Sequence, residues 1–194
     1  MKTLIVIDAQ NEFSDNGRRS VPAHDEILSK IQWHVQRARE SGEPIAWMQH
    51  HNKPHESPAF VPGSWGAELS PGLEPKSESR LEKLFQKDVF GAFFGTGLEE
   101  WLHAMKADEL LLVGFFTHMC LSTSAREALV REFSVCIDPT ATGAHDLVHP
   151  ILGRQTEDEV RRTALLQLSD MGAEIIEFNH GAAEPALALG AREQ

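Results

Sequence analysis

Cys120, Asp8 and Lys87 are the side chains in this sequence whose types and positions could carry a reaction. Cys120 follows an apolar, strand-like run, Leu110 to Val113, that meets Gly114 and turns at Phe115-Phe116-Thr117 into a helical pattern. It therefore falls in the first turn of a predicted helix. Unpaired backbone N–H groups and the positive end of the helix dipole favour thiolate over thiol at such a position, which makes Cys120 a candidate nucleophile. Each residue taken alone also has a plainer role. A cysteine is commonly a small buried apolar residue, an aspartate at a strand end commonly accepts backbone N–H bonds, and a lysine is commonly a solvated surface charge.

The elements around these residues decide whether they meet. Leu4 to Ile7 is a short, continuous run of branched apolar residues ending at Asp8, as in a strand buried on both faces. Helical spacing of Ile27, Leu28, Ile31, Val35 and Ala38 predicts a helix over His24 to Ser41, closed by Gly42 and Pro44. Pro44 to Gln49 is the next strand, and Arg80 to Gln86 a weaker one that leads to Lys87. Between them, from His50 to about Ser79, eight prolines and glycines break every period, so residues of about 50–80 are read as a covering loop. Gly97 to Lys106 is a short helix, Leu110 to Phe115 a strand, Thr117 to Phe133 the helix carrying Cys120, and Val135 to Asp138 a strand. Pro139 to Thr156 reads as loop, Glu157 to Met171 as helix and Ala173 to Phe178 as the last strand, while the Ala-rich tail from Gly181 has no evident role.

Strands alternating with helices predict an α/β fold, a Rossmann-like three-layer sandwich with a six-stranded, mostly parallel sheet and helices on both faces. In such sheets ligands collect at the carboxyl ends of the strands, near the switch in strand order. Asp8, Lys87 and the turn before Cys120 all fall at such ends, so three strands would bring them to one crevice.

A length of 194 residues suits one domain, 1–194, with a single sizeable core. The net charge of -11 argues against nucleic acid and against an anionic membrane surface, leaving a small molecule or a protein as the expected partner, with a small-molecule substrate preferred. No apolar run approaches the roughly 20 residues that span a bilayer. No secretory signal is visible, and two cysteines, Cys120 and Cys136, do not suggest a disulfide framework, so a cytoplasmic location is expected.

Four segments carry a resemblance to a known family. Asp8-Ala-Gln-Asn-Glu-Phe13 resembles the D-x-Q-N-x-F opening of the isochorismatase-like cysteine hydrolases. Lys87, with Phe93 and Gly95-Thr96 after it, is similar to that family's lysine and its F-x-G-T, and Gly114 to Cys120 matches its G-x-x-T-x-x-C segment. Phe60 to Pro71 resembles the P-G-(S/T)-x-G-A-E-L stretch of many members. Any one of these is weak. Together, in order from about Leu4 to about Leu147, they are specific.

The resemblance implies a triad of Cys120 as nucleophile, Asp8 as proton acceptor and Lys87 as cationic partner. It also implies an oxyanion hole from the N–H groups of Cys120 and Phe116, the latter turned inward by a cis peptide between Phe115 and Phe116. The chemistry fits that division. A carboxylate can take the thiol proton, attack on an amide carbonyl gives an acyl-enzyme thioester, and water then cleaves it. The expected activity is thus hydrolysis of a C–N bond in a small amide, carbamoyl or ureido compound. True isochorismatases of this family, as the resemblance implies, do without the cysteine.

Two other readings stay open. A nicotinamidase-like enzyme would use a variant metal site, for which His50, His51 and His55 are the candidates; neighbouring histidines on a strand end point to opposite faces, so no metal and no other cofactor is expected. Alternatively, the same scaffold could be catalytically silent and bind a ligand or partner. Phe13, Trp65, Phe90, Phe93 and Phe116, with Phe94, are the candidates for an aromatic substrate pocket. No arginine is evidently aimed at it, and His118 faces either the crevice or a contact between subunits. The resemblance further suggests a homodimer or homotetramer.

Overall fold

The structure, a computed structural model, describes residues 1–180. The tail beginning at Gly181 lies outside the described residues. Six strands form one sheet: β1 (Lys2–Ile7), β2 (Ile45–His50), β3 (Glu82–Lys87), β4 (Glu109–Phe115), β5 (Ser134–Gly143) and, last in the chain, β8 (Glu174–Ile175). Their spatial order is β3-β2-β1-β4-β5-β8, and every neighbouring pair is parallel. The order reverses between β1 and β4, which makes the space beyond their carboxyl ends the natural ligand position.

Both faces are covered. Helix α1 (His24–Ser41) and the covering loop pack on one face, burying Ile31, Val35, Phe60 and Leu73 against Leu4, Val6, Trp47 and Val113. Helices α2 (Leu98–Ala104), α3 (Ser122–Leu129) and α4 (Glu157–Asp170) cover the other, where Leu98, Leu102, Leu121, Ala125 and Leu168 meet Ile5, Met48, Leu112 and Ile137. The central strands are apolar on both sides for this reason, as the continuous runs Leu4 to Ile7 and Leu110 to Val113 predict. Edge strand β3 is charged and largely exposed until Phe85 and Lys87 turn inward, the composition of an edge that resists pairing with other chains.

The structure departs from the sequence expectation in three places. Strand β5 runs through Pro139 to Gly143, because Leu112 pairs with Ile137 but Gly114 pairs with Thr142. The surplus residues bulge out, and a bulge is where a proline fits inside a strand. The segment after it holds a small antiparallel hairpin of β6 (Leu147–His149) and β7 (Gly153–Gln155), all exposed, where the sequence shows only loop character. Finally, the helix carrying Cys120 begins with one π-helical turn, Thr117–Leu121, before α3 proper, with the Leu121 N–H donating to the Phe116 carbonyl at 3.2 Å. A π turn adds a residue to a helical turn and is common at functional sites.

Candidate active site

Asp8 directly follows β1 in the left-handed region, φ 49°, a conformation aspartate tolerates better than most residues. Its N–H is held by the Met48 carbonyl of β2, and the carboxylate is fully buried. Lys87 ends β3, in register with His50 of β2, and its side chain is also fully buried. Its ammonium donates to Asp8 Oδ2 at 2.8 Å and to the Val89 carbonyl at 3.2 Å, and lies 3.4 Å from His50 Nδ1. Asp8 Oδ1, by contrast, is buried without a hydrogen-bond partner among the described residues.

Gly114 is what lets β4 deliver Cys120 to this spot. Its φ is +116°, and a side-chain carbon there would overlap the Ile7 carbonyl of β1, so only glycine fits. The Phe115–Phe116 peptide is cis, as the resemblance implies, and the Phe116 N–H donates to no acceptor among the described residues. Cys120 is 7 % exposed and borders the same cavity as Asp8. The thiol, the carboxylate and the ammonium are near enough that each alters the ionisation of the thiol.

That ionisation differs from the sequence expectation of a thiolate. Burial pushes the Cys120 thiol well above its ordinary value, and the Asp8 charge adds to this, outweighing Lys87. Lys87 is held above its ordinary value because Asp8 and Cys120 more than offset burial. The resting state is therefore a thiol beside an Asp8–Lys87 ion pair. A helix start alone does not ionise a sulfur that is this dry. Cys136, paired in β5 against Leu111, is buried core, its thiol pushed up to about 12 by burial, and both cysteines are free.

The cavity has a volume of about 180 Å³, below the roughly 300 Å³ at which drug-sized ligand pockets begin, so it suits a small molecule. Of the predicted aromatic residues, Phe13, Phe90 and Phe116 line it. Trp65 and Phe93 do not. Trp65 sits on the covering loop, 51 % exposed, its carbonyl accepting from Asn11; Phe93 is core beside Phe133 and under the Arg131 guanidinium. Phe94 is exposed on a separate surface near His51. Arg19, His50, Asn52, Glu56, Ser57, Ala59, Phe60 and Met119 complete the lining; the sequence reading has His50 as a metal candidate and Phe60 in a family-like segment, but puts none of these in the substrate pocket. Arg19 lies on an irregular segment with no period to place it. Its guanidinium stands over the Phe116 ring, 5.3 Å from the centroid, with no carboxylate partner among the described residues.

The remaining residues of Asp8-Ala-Gln-Asn-Glu-Phe13 hold the covering loop. Gln10 donates to the carbonyls of His50 and Ala67 at 2.9 and 2.8 Å and accepts from the His50 N–H at 2.8 Å. Asn11 donates to the Trp65 carbonyl, and the Glu12 carboxylate accepts from the N–H groups of Arg18 and Phe60. A side-chain carbon at Gly66 would displace that carboxylate from its place. His50, His51 and His55 do not converge on one point as ligands: His50 is bonded to Asn52 at 2.8 Å, and the three-residue group of ligand atoms among the described residues lies elsewhere.

His118 packs tilted against the Phe116 ring and edge-on against His145, and neither of its buried ring nitrogens has a partner among the described residues. Burial, then the charges of His145 and Arg19, push it down to about 4. The unfolded chain takes up this proton near pH 6.5 and the folded chain only near 4, so stability is complete above pH 6.5 and falls between those values. His118→Gln should flatten the decline of Tm between pH 6.5 and 4, measured by thermal melts across that range. His34, also held low by burial, should leave a residual slope of the same sign.

A doubly wound parallel sheet with a carboxylate, an ammonium and a thiol gathered at its topological switch point defines a class of α/β domain built around a carboxyl-edge site. Residues 2–179 match the isochorismatase domain, and the chain belongs to the isochorismatase family. It is 32% identical over 146 residues to the isochorismatase family protein YrdC of Bacillus subtilis, covering 74% of each chain. It is 27% identical over 191 residues to a nicotinamidase/pyrazinamidase of Mycobacterium tuberculosis, covering 87% of this chain and 98% of that one. The crystal structure of an isochorismatase from Pseudomonas putida superposes with a TM-score of 0.83 at 27% identity, covering 91% of this chain and 87% of the other.

Proposed function

We propose that this protein is a cysteine hydrolase that cleaves a C–N bond in a small amide, carbamoyl or ureido compound through a thioester acyl-enzyme. The observation that supports this most is the asymmetry of Asp8: Lys87 occupies Oδ2, while Oδ1 has no partner and the carboxylate borders the Cys120 cavity. A buried carboxylate with one free oxygen beside a protonated thiol is set to take that proton as the sulfur attacks. The ammonium is paired with the carboxylate and offsets the sulfur charge as it develops. The N–H groups of Phe116 and Cys120 receive the oxyanion. Asp8 then passes its proton to the departing amine and accepts another from the water that cleaves the thioester.

Relatives named nicotinamidase and streptothricin hydrolase are in keeping with amide cleavage, and no step here calls on a metal. Substrate entry falls to the cavity of about 180 Å³, with aromatic walls from Phe13, Phe60, Phe90 and Phe116 and one uncommitted cation, Arg19. A substrate carrying a carboxylate or a second carbonyl would meet that guanidinium. No helix among the described residues is long and apolar enough to cross a membrane. A cytoplasmic setting, where free thiols persist, and a homodimer or homotetramer are part of the same proposal.

An ammonia-release screen across small neutral and anionic amides and ureido compounds tests the reading. Turnover of at least one class is expected, and Arg19→Ala should raise KM for the anionic substrates by roughly tenfold or more while sparing neutral ones. Silence across the whole panel, with ligand binding retained, would favour the non-catalytic scaffold instead.

A further inference from the structure

A second cluster of chemistry-bearing side chains lies away from the crevice. His34 projects from α1, Asp138 from the bulged stretch of β5 and His180 from the segment after β8. His34 Nε2 is 2.7 Å and His180 Nε2 2.9 Å from Asp138 Oδ2, and the three ligand atoms lie within 4.8 Å of one another. Thr140 Oγ1 stands 3.0 Å from His180 Nε2 and donates to Asp138 Oδ1 at 2.7 Å. The side chains of His34 and Asp138 are fully buried and that of His180 is 8% exposed. The shallow cavity beside them, lined by Lys30, Thr140, Phe178 and His180 among others, shares no residue with the catalytic one.

The carboxylate at the centre raises the question. The Asp138 side chain is fully buried, and both of its oxygens are engaged in hydrogen bonds. Buried charges are paired with an opposite charge or bind a metal. Among the described residues Asp138 has no lysine or arginine partner: nearby Arg37 is paired with Glu43, and Lys30 borders the cavity without an ion pair to Asp138. Its direct partners are the two imidazoles on Oδ2 and the hydroxyl and N–H of Thr140 on Oδ1. His34 Nδ1 is buried without a hydrogen-bond partner among the described residues, and Nε2 is the nitrogen that faces the carboxylate.

We propose that His34, Asp138 and His180, with the Thr140 hydroxyl beside them, form a binding site for a divalent transition metal of the zinc or cobalt kind. Two imidazoles and one carboxylate are donors that such ions take at roughly 2.0–2.2 Å, and a solvent molecule or the hydroxyl completes four-coordination. Calcium and magnesium prefer sets made of oxygen and fit poorly. The ion replaces the imidazole–carboxylate hydrogen bonds and supplies the positive charge that Asp138 lacks. It fastens the segment that carries His180, which otherwise holds to the sheet through bonds such as Ile176 N–H to the Ile137 carbonyl, against α1 and β5.

Titration of the full-length, chelator-treated protein with cobalt(II) chloride, followed by visible absorption, and with zinc chloride, followed by calorimetry, tests the site. One equivalent should bind, with the d–d bands of a four-coordinate cobalt site and a rise in Tm. His180→Ala, at the margin of the fold and checked by circular dichroism, should weaken binding by more than the roughly 10–100-fold that loss of an outer partner costs. His51→Ala and His55→Ala should bind as the wild type does. Absence of a stoichiometric equivalent, or undiminished affinity in folded His180→Ala, overturns the proposal and leaves a proton-sharing clamp.

Discussion

Cys120→Ala is expected to lower kcat/KM on any substrate of this protein by roughly 10⁴-fold or more, the scale on which loss of a covalent nucleophile registers. Folding should barely change. The side chain is small and borders a cavity, so removal of the sulfur should cost about 1 kcal/mol or less. Parallel measurement of Tm and of steady-state turnover separates the two effects. Cys120→Ser is the sharper variant, since it keeps the shape and a hydroxyl but not the nucleophilicity of sulfur. A variant of either kind that still turns over at the wild-type rate contradicts the thioester route. Because the resting group is a thiol, alkylation of Cys120 by iodoacetamide in the free protein should be slow at pH 7.

Lys87→Ala is expected to remove activity and stability together. The ion pair with Asp8 is almost completely dry, 0% and 1% exposed at its two side chains. Breaking such a pair from one side leaves a buried, uncompensated charge at a cost of about 3–5 kcal/mol. At roughly 2–4 °C per kcal/mol for a chain of this size, Tm should fall by about 6–20 °C. The paired replacement Asp8→Asn with Lys87→Met should recover most of that stability, since both charges leave the interior, yet it should recover no turnover. If the double variant were active, the pair would be architecture alone. The ammonium is held above its ordinary value, so its contribution is fully present below the unfolded value near pH 10.4 and is lost only as pH rises through the higher folded one. Chemical denaturation at pH 7 and pH 9 should therefore give the same difference between wild type and Lys87→Ala.

The layout of this fold is legible because its strong signals are local. Leu4 to Ile7 and Leu110 to Val113 must be buried on both faces, and the spacing of Ile27, Ile31, Val35 and Ala38 coincides with the face of α1 that is buried. Asp8, Lys87 and Cys120 are legible as a set because strand ends in a parallel sheet are brought together by topology. What escapes depends on contacts between distant segments. Nothing local marks Pro139 as lying within a strand; the long pairing of β5 with β4 puts it there, and the bulge tolerates it. The ionisation of Cys120 depends on burial and on Asp8, 112 positions earlier in the chain, which a helix-start argument cannot weigh. Arg19 reaches the crevice from a loop held by non-periodic bonds, among them the Arg18 N–H to the Glu12 carboxylate and the Arg19 N–H to the Glu12 carbonyl. Trp65 and Phe93 show the converse: an aromatic residue in a family-like segment is as readily a prop for the loop or the core as a wall of the site.

The Gln10 side chain has one further implication. Its amide is spent wholly on the backbone of the neighbouring strand end and of the covering loop, and the Gln49 amide adds a second donor to the same Ala67 carbonyl at 2.9 Å. The roof of the chamber is thereby clamped to the floor by peptide groups, which cannot swing aside as a surface side chain can. Molecules too bulky for the doorway are turned away before the sulfur meets them, so selectivity should register as differences in access between compounds of equal intrinsic reactivity.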